Sequence, residues 1–185
     1  MHKNPLDIMS LCLHTYHTHV VSMDLLYKCN ASSPHTIPRP SHCILHTMPG
    51  GDTPGILAGG VATMLLTGQQ PGWTRAHKAM AGFRLREHQL LGCRVTLRGR
   101  ILWNYIHGFV DMSLPRRRVF VALSSWDTHG VWSMGCQDLV LFPQLEHIWD
   151  RITGVGGIDI HMCSTTSYKD IAMCLWSAYL PVKTG

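Results

Sequence analysis

Hydrophobic residues along this chain recur at helical spacing in some stretches and alternate with polar ones in others. Between Asp7 and Lys28, Leu11, Leu13, Val20, Val21 and Leu25 mark an imperfect apolar face with His14, His17 and Asp24 interleaved, which predicts a helix. Asn30 to Pro40 is rich in Ser and Pro and predicts a loop. Ser41 to Met48 alternates weakly and reads as a strand. Pro49-Gly50-Gly51-Asp52 predicts a turn. Asp52 or Thr53 is then placed to cap a short helix running to Leu66, with Pro54 in its first turn. Trp73–His77 and Cys93–Leu97 predict two strands of a hairpin around a long loop, Lys78 to Gly92, with Gly82 and Gly92 as pivots. A loop of that length with little structure of its own is usually functional. Gly99 to Met112 carries the strongest helical signal: Ile101, Leu102, Tyr105, Ile106, Phe109 and Val110 share one face, and Pro115 stops it. Cys136–Phe142 and Gly157–Ser164 read as strands; in the second, Ile158, Ile160 and Met162 alternate with Asp159, His161 and Cys163. Ser167 with Asp170 predicts a capping box opening a last helix to about Tyr179. Helices and antiparallel strands in this irregular order predict an α+β fold: an antiparallel sheet packed against several helices, with a long basic β-hairpin loop. At 185 residues the chain is expected to form a single domain, 1–185.

Charge changes the picture. From Arg75 to Arg118 there are ten Lys and Arg against only Glu87 and Asp111, a local net charge of +8. The rest of the chain carries six basic and nine acidic groups, so the overall +5 hides a positive block on a mildly acidic body. Such a field attracts a polyanion, because neutralising phosphates releases condensed counterions. Within the predicted loop, Lys78, Arg84, Arg86 and His88 surround Phe83. Guanidinium forks pair with phosphate oxygens, and a Phe ring offers a stacking face to an unpaired base. Charged residues make up 15% of the chain, below the usual quarter or so, which argues against a disordered tail.

Other chemistry is poorly supported. No apolar run approaches the roughly 20 residues that span a bilayer, so no membrane is expected as a partner. The seven cysteines are scattered, odd in number and lack a C-x-x-C pair, which favours reduced thiols. Residues 1–30 contain no Arg and include Asp7 and Asp24, so they make a poor transit peptide. Thirteen histidines raise the question of zinc, and His14, His17, His19, His35, His42 and His46 cluster early. No spacing matches a zinc finger or knuckle, so neither metal nor cofactor is expected, and the histidines read as polar or RNA-facing imidazoles. G-x-S-x-G, H-E-x-x-H and Walker glycine loops are absent from the sequence. Gly154-Val155-Gly156-Gly157 precedes a strand instead of opening a helix, which is wrong for a phosphate cradle.

The ordered motifs narrow the reading further. Gly68-Gln69-Gln70-Pro71 is followed by Thr74-Arg75-Ala76-His77-Lys78-Ala79-Met80-Ala81-Gly82-Phe83-Arg84-Leu85-Arg86 and then Gly92-Cys93-Arg94-Val95-Thr96-Leu97-Arg98-Gly99. Downstream come Leu114-Pro115-Arg116-Arg117-Arg118, the run from Trp126 to Gly135, Leu141-Phe142-Pro143-Gln144-Leu145 and Gly157-Ile158-Asp159-Ile160. Together these resemble the bacterial-type large-subunit ribosomal protein L-five family, which binds 5S rRNA. The resemblance covers 38–185 in order; 1–37, the N-terminal helix and loop, are divergent.

It implies a noncatalytic constituent of the large subunit, seated in the central protuberance and partnered by 5S rRNA, large-subunit rRNA and neighbouring ribosomal proteins. It maps the family's polar trio for 5S rRNA onto Thr47, Gln69 and Thr96, with Thr47 standing where the family usually has Asn. Gln69 and Thr96, read without the resemblance, are equally turn and strand residues. Arg75, Arg94, Arg98 and Arg116 join the expected rRNA contacts, with Lys78 and Arg84 as further phosphate contacts. The loop Lys78, Ala79, Met80, Ala81, Gly82, Phe83, Arg84 and Arg86 is expected to reach peptidyl-site tRNA. Arg117, Arg118, Trp126, Asp127 and Trp132 are expected in a loop facing a protein of the small-subunit head. The family's N-M-G-V-G-E turn is degraded here to Thr47-Met48-Pro49-Gly50-Gly51-Asp52. Such drift suits a mitochondrial ribosome, with a plastid or bacterial cytoplasm as alternatives. The competing functions are a free RNA-binding module and a metal-dependent RNA-processing enzyme.

Overall fold

The structure is a computed structural model and describes residues 5–49, 53–117 and 126–181. It is α+β, as the periodicities predict. Five strands form one antiparallel sheet in the order β2-β3-β1-β5-β4, with β1 Pro40–Thr47, β2 Gly72–Arg75, β3 Leu90–Leu97, β4 Trp132–Cys136 and β5 Ile158–Ser164. The helices are α1 Pro5–Tyr16, α2 Ser22–Lys28, α3 Thr53–Thr67, α4 Gly99–Gly108, α5 Trp149–Ile152 and α6 Lys169–Trp176. The chain divides into two compact units. Unit 1 takes the described residues of Met1–Cys43, Leu97–Met134 and His161–Gly185; unit 2 takes those of Ile44–Thr96 and Gly135–Ile160.

In unit 1 the core is aromatic. A π-helical turn, His17–Val21, links α1 to α2, so the predicted N-terminal helix runs on with one widened turn. Hydroxyls of Thr15, Thr18 and Ser22 each donate back to the carbonyl four residues earlier, a competition with the ladder that bends helices. His17, Val21 and Leu25 are buried from this segment. Helix α4 buries Leu102, Trp103, Tyr105 and Ile106, one stripe at helical spacing, and Phe109 continues it in a second π-helical turn, Phe109–Ser113. His17 lies tilted against Trp103 and Tyr179 at ring separations of 5.3 and 6.2 Å, and Tyr179 meets Trp103 and Trp176 edge to face at 6.1 and 6.3 Å. Trp132 of β4 is fully enclosed and lies 6.3 Å from the Phe109 ring. The predicted capping box at Ser167 does not form: Tyr168 holds the N-cap position of α6 without a side-chain cap, and the Thr166 hydroxyl accepts from Tyr168 N at 3.2 Å.

Unit 2 has an aliphatic core, closed at α3 by small residues. Helix α3 buries Ile56, Gly59, Gly60, Ala62, Thr63 and Thr67 and leaves Leu57, Val61, Met64 and Leu65 exposed. The Trp73 ring fills the space beside Gly60: a Cβ there would lie 2.7 Å from it. Gly59 faces the Thr47 hydroxyl at 3.1 Å in the same sense. Gly92 is held tighter still, with the Thr47 carbonyl oxygen 2.0 Å from where its Cβ would stand. The predicted strand Cys136–Phe142 is wrong beyond Cys136. Leu139, Phe142 and Leu145 are all buried, at a spacing of three that suits 3₁₀ turns, and the chain forms such turns at Leu139–Leu141 and Pro143–Ile148. Pro143 lacks the N–H that a ladder needs. The predicted turn at Gly50 to Asp52, with the Asp52 cap, lies outside the described residues.

Strand alternation sets the two faces of the sheet. Cys43, Leu45 and Thr47 of β1, Cys93, Val95 and Leu97 of β3, and Ile158, Ile160 and Met162 of β5 point into the core. Their neighbours look the other way. In unit 2 these are Ile44, His46, Arg94, Thr96 and Asp159; in unit 1 they are His42, His161 and Cys163.

Candidate nucleic-acid interface

The basic hairpin of unit 2 is more ordered than its sequence predicts. β2 and β3 pair antiparallel from Gly72↔Arg94 to Arg75↔Leu90, with a register shift at Thr74/Arg75 that bends the strand. Pairing then continues past the strands. Ala76 N donates to Gln89 O at 2.9 Å and His88 N to Ala76 O at 3.0 Å. Met80 and Leu85 exchange backbone bonds of 3.1 Å, closing a small ring over a single 3₁₀ turn, Ala81–Phe83. The Gln89 side chain accepts from Arg86 N at 2.9 Å and pins the return limb. Arg84 sits in the left-handed region at φ 54°, where a non-glycine residue costs energy. The tip is therefore a folded platform. Phe83 is 75% exposed upon it, and Lys78, Ala79, Met80, Ala81, Gly82, Arg84 and Arg86 are exposed around it.

Behind the tip, Arg75 and Arg94 are exposed, and Thr96 is half-buried on the outward face of β3. Gln69 is half-buried in the turn after α3, where its backbone N and O both meet the Thr67 hydroxyl at 3.2 Å. Its side-chain amide makes no hydrogen bond among the described residues. Thr47 is a correction. It is wholly buried, and its hydroxyl lies 2.9 Å from Cys93 Sγ, so its side chain is a core group and no RNA ligand. The sequence hides this because Thr47 is a polar residue closing a weakly alternating strand, while the alternation itself puts it on the Cys43–Leu45 face.

In unit 1, Arg98 and Arg116 are exposed, Arg98 at the N-cap position of α4. The expected bridge residues scatter. Arg117 is half-buried and donates to Met134 Sδ at 3.1 Å. Asp127 closes a turn: its carboxylate accepts from Thr128 N at 2.8 Å, and its N donates to Val131 O at 2.9 Å. Gly130 completes that turn at φ 72°, with Ala172 only 2.8 Å from where a Cβ would stand. Trp126 is half-buried and pairs with Trp132. Trp132 itself is a second correction: at 1% exposure it is a core anchor and presents nothing to a partner. Arg118 lies outside the described residues.

The histidines also separate. His17 is 5% exposed, its Nδ1 is 2.6 Å from the Tyr179 hydroxyl, and its Nε2 is buried without a partner among the described residues. Burial, then Arg39 and His14, push its pKa down from 6.5 to about 4. It is a neutral core residue, against the expectation of a polar or RNA-facing imidazole. His14 and His19, by contrast, are exposed.

A model of the ribosomal L5P family C-terminus matches residues 90–180. Over 172 residues the chain is 32% identical to large ribosomal subunit protein uL5 of Buchnera aphidicola subsp. Acyrthosiphon pisum (strain Tuc7), covering 90% of this chain and 95% of that protein. The chain belongs to the ribosomal L5 family. This L5 protein is therefore a structural, RNA-binding constituent of the large ribosomal subunit that serves translation with rRNA and ribosomal proteins as partners. It is not an enzyme, and the RNA-processing alternative falls with that assignment.

Proposed function

We propose that this L5 protein holds 5S rRNA, or the RNA that takes its place, in the central protuberance of the large subunit. Arg75, Arg94, Thr96 and Gln69 of unit 2 contact that RNA, as do Arg98 and Arg116 of unit 1. The loop from Lys78 to Arg86 reaches peptidyl-site tRNA. Arg117, Trp126 and Asp127, together with Arg118, face a protein of the small-subunit head. The reading rests above all on one observation: Phe83 stands 75% exposed on an ordered, basic hairpin tip. An aromatic ring held out among cations is suited to stack on an unpaired base while the cations track phosphates.

Replacing Arg94 and Arg98 together with Ala is expected to weaken 5S rRNA binding. It should also flatten the dependence of log K on log salt, by about one unit for each phosphate no longer neutralised. An unchanged slope removes both residues from the interface. Phe83→Ala is expected to leave incorporation into large subunits intact and to reduce retention of peptidyl-site tRNA. Loss of incorporation would make Phe83 a folding residue instead.

We also infer a mitochondrial ribosome. The degraded turn after Thr47 supports this, since relaxed motifs suit a particle whose RNA and proteins have diverged. Fractionated organelles test it: the protein should sediment with the mitochondrial large subunit after a moderate salt wash. Recovery with plastid or cytoplasmic ribosomes would refute the placement.

A further inference from the structure

Two side chains of unit 1 share an arrangement that the contacts above do not use. His42 lies on β1 and His161 on β5, which are neighbouring strands of the sheet. Both are half-buried at outward positions, whereas Cys43 and Met162, one step along each strand, are wholly buried on the core face. Each ring is tied at Nδ1 to a serine hydroxyl: Ser41 Oγ to His42 at 3.0 Å, and Ser133 Oγ to His161 at 2.8 Å. A hydroxyl that donates to Nδ1 leaves the ring proton on Nε2, so the outer nitrogen becomes a donor. Neither Nε2 makes a hydrogen bond among the described residues. Burial, and then the Arg98 guanidinium, lower the His42 pKa below its ordinary value and favour the neutral ring.

Charge selects the occupant. The exposed Arg98 guanidinium at the start of α4 acts on the His42 ring, so the local charge beside it is positive. A polyanion with many acceptors and few donors along its backbone complements that surface, and RNA is such a polymer. We propose that His42 and His161 are RNA-contacting residues, each held by its serine so that Nε2 donates a neutral hydrogen bond to an RNA acceptor. The proposal rests on the rRNA-binding reading and singles out, among thirteen histidines, two that the sheet and its serines orient. A neutral donor displaces no condensed counterion. These two rings therefore supply geometry and affinity, whereas Arg98 supplies the salt dependence.

The test is a binding titration of the full chain against a bacterial 5S rRNA transcript across a salt series at about pH 7.5, above the ordinary histidine range. His42→Ala and His161→Ala should each weaken binding about tenfold, with salt slopes parallel to the wild type. Arg98→Ala should lower the slope by about one. His42→Gln and His161→Gln keep a side-chain N–H donor and should recover most of the affinity. Ser41→Ala and Ser133→Ala leave each imidazole in place but release its tautomer, and should cost about threefold. Unfolding midpoints are measured on every variant, and the serine variants carry the test if an alanine variant fails to fold. Histidine variants that bind like the wild type, or that weaken binding and flatten the slope together, overturn the proposal while leaving the rRNA reading intact. A wild-type protein that ignores the transcript overturns both.

Discussion

Unit 1 carries ten Lys and Arg against five acids, while unit 2 is balanced at six of each. Yet the basic hairpin belongs to unit 2. Its cations Arg75, Lys78, Arg84, Arg86 and Arg94 fall within twenty positions with Glu87 the one acid among them, and its other acids, Asp52, Asp138, Glu146, Asp150 and Asp159, lie elsewhere in the chain. Net charge is thus a poor guide to where a polyanion docks; the local field around exposed side chains decides it. The cores differ as well. Unit 1 is filled by Trp103, Phe109, Trp132, Trp176 and Tyr179, whereas unit 2 is mainly aliphatic (Leu45, Leu145, Ile152 and Ile158 among others), with Gly59, Gly60 and Gly92 admitting close approach beside it. An aromatic core fails when a ring is removed, and a glycine-lined core fails when an atom is added.

The largest expected effect tests the aromatic side. Trp132→Ala should destabilise unit 1 by about 4 kcal/mol in denaturant melts, because a buried indole leaves a cavity the surroundings cannot fill. A cost below about 1 kcal/mol would mean that Trp132 is no anchor. Gly92→Ala tests the other side. Its new methyl would meet the Thr47 carbonyl, and the expected destabilisation is about 3 kcal/mol, the upper range for overpacking. A neutral outcome would show that β1 and β3 can part at no cost.

Proton linkage ranks next. His17 has its pKa lowered from 6.5 to about 4 by burial, so the unfolded chain binds more protons between those values. Its contribution is complete above pH 6.5 and is lost as pH falls through about 4, up to about 3 kcal/mol at one pKa unit per 1.36 kcal/mol. Replacing His17 with Phe should flatten that part of the stability–pH curve, and an unchanged curve would locate the titration elsewhere. The smallest expected effect is at the hairpin tip. Arg84→Gly relieves a left-handed φ and should raise stability by about 0.5–1 kcal/mol while weakening RNA binding. A variant weaker in both respects would show that the guanidinium also holds the tip together.

Much of this was legible in the sequence, because burial there follows a simple period. The α4 stripe and the alternation of Ile158, Ile160 and Met162 each predict their own element and its inner face. The ordered motifs identify the family because they keep their order and spacing along the chain, and from Gly92 onward they fall within the residues 90–180 that the family model matches. Legibility fails where neighbours outvote the period. Leu139, Val140, Leu141 and Phe142 look like a strand, but burying Leu139, Phe142 and Leu145 together requires turns. In α3, Leu57 and Leu65 are exposed, although leucine is more often a core residue. The glycines take that place because only they admit Trp73 and Thr47 so closely.

By itself, the sequence determined the class of elements, the positive block, the family and the absence of a catalytic motif. All of these depend on residue type and on spacing along the chain. The tertiary structure decided which side chains the block presents. It turned Thr47 and Trp132 inward, made His17 a neutral core group and raised Phe83 on an ordered tip. It also set serine hydroxyls against His42 and His161. His161 meets a serine 28 positions away in the chain, and pairings at that range depend on strand order and close packing, which no local period encodes.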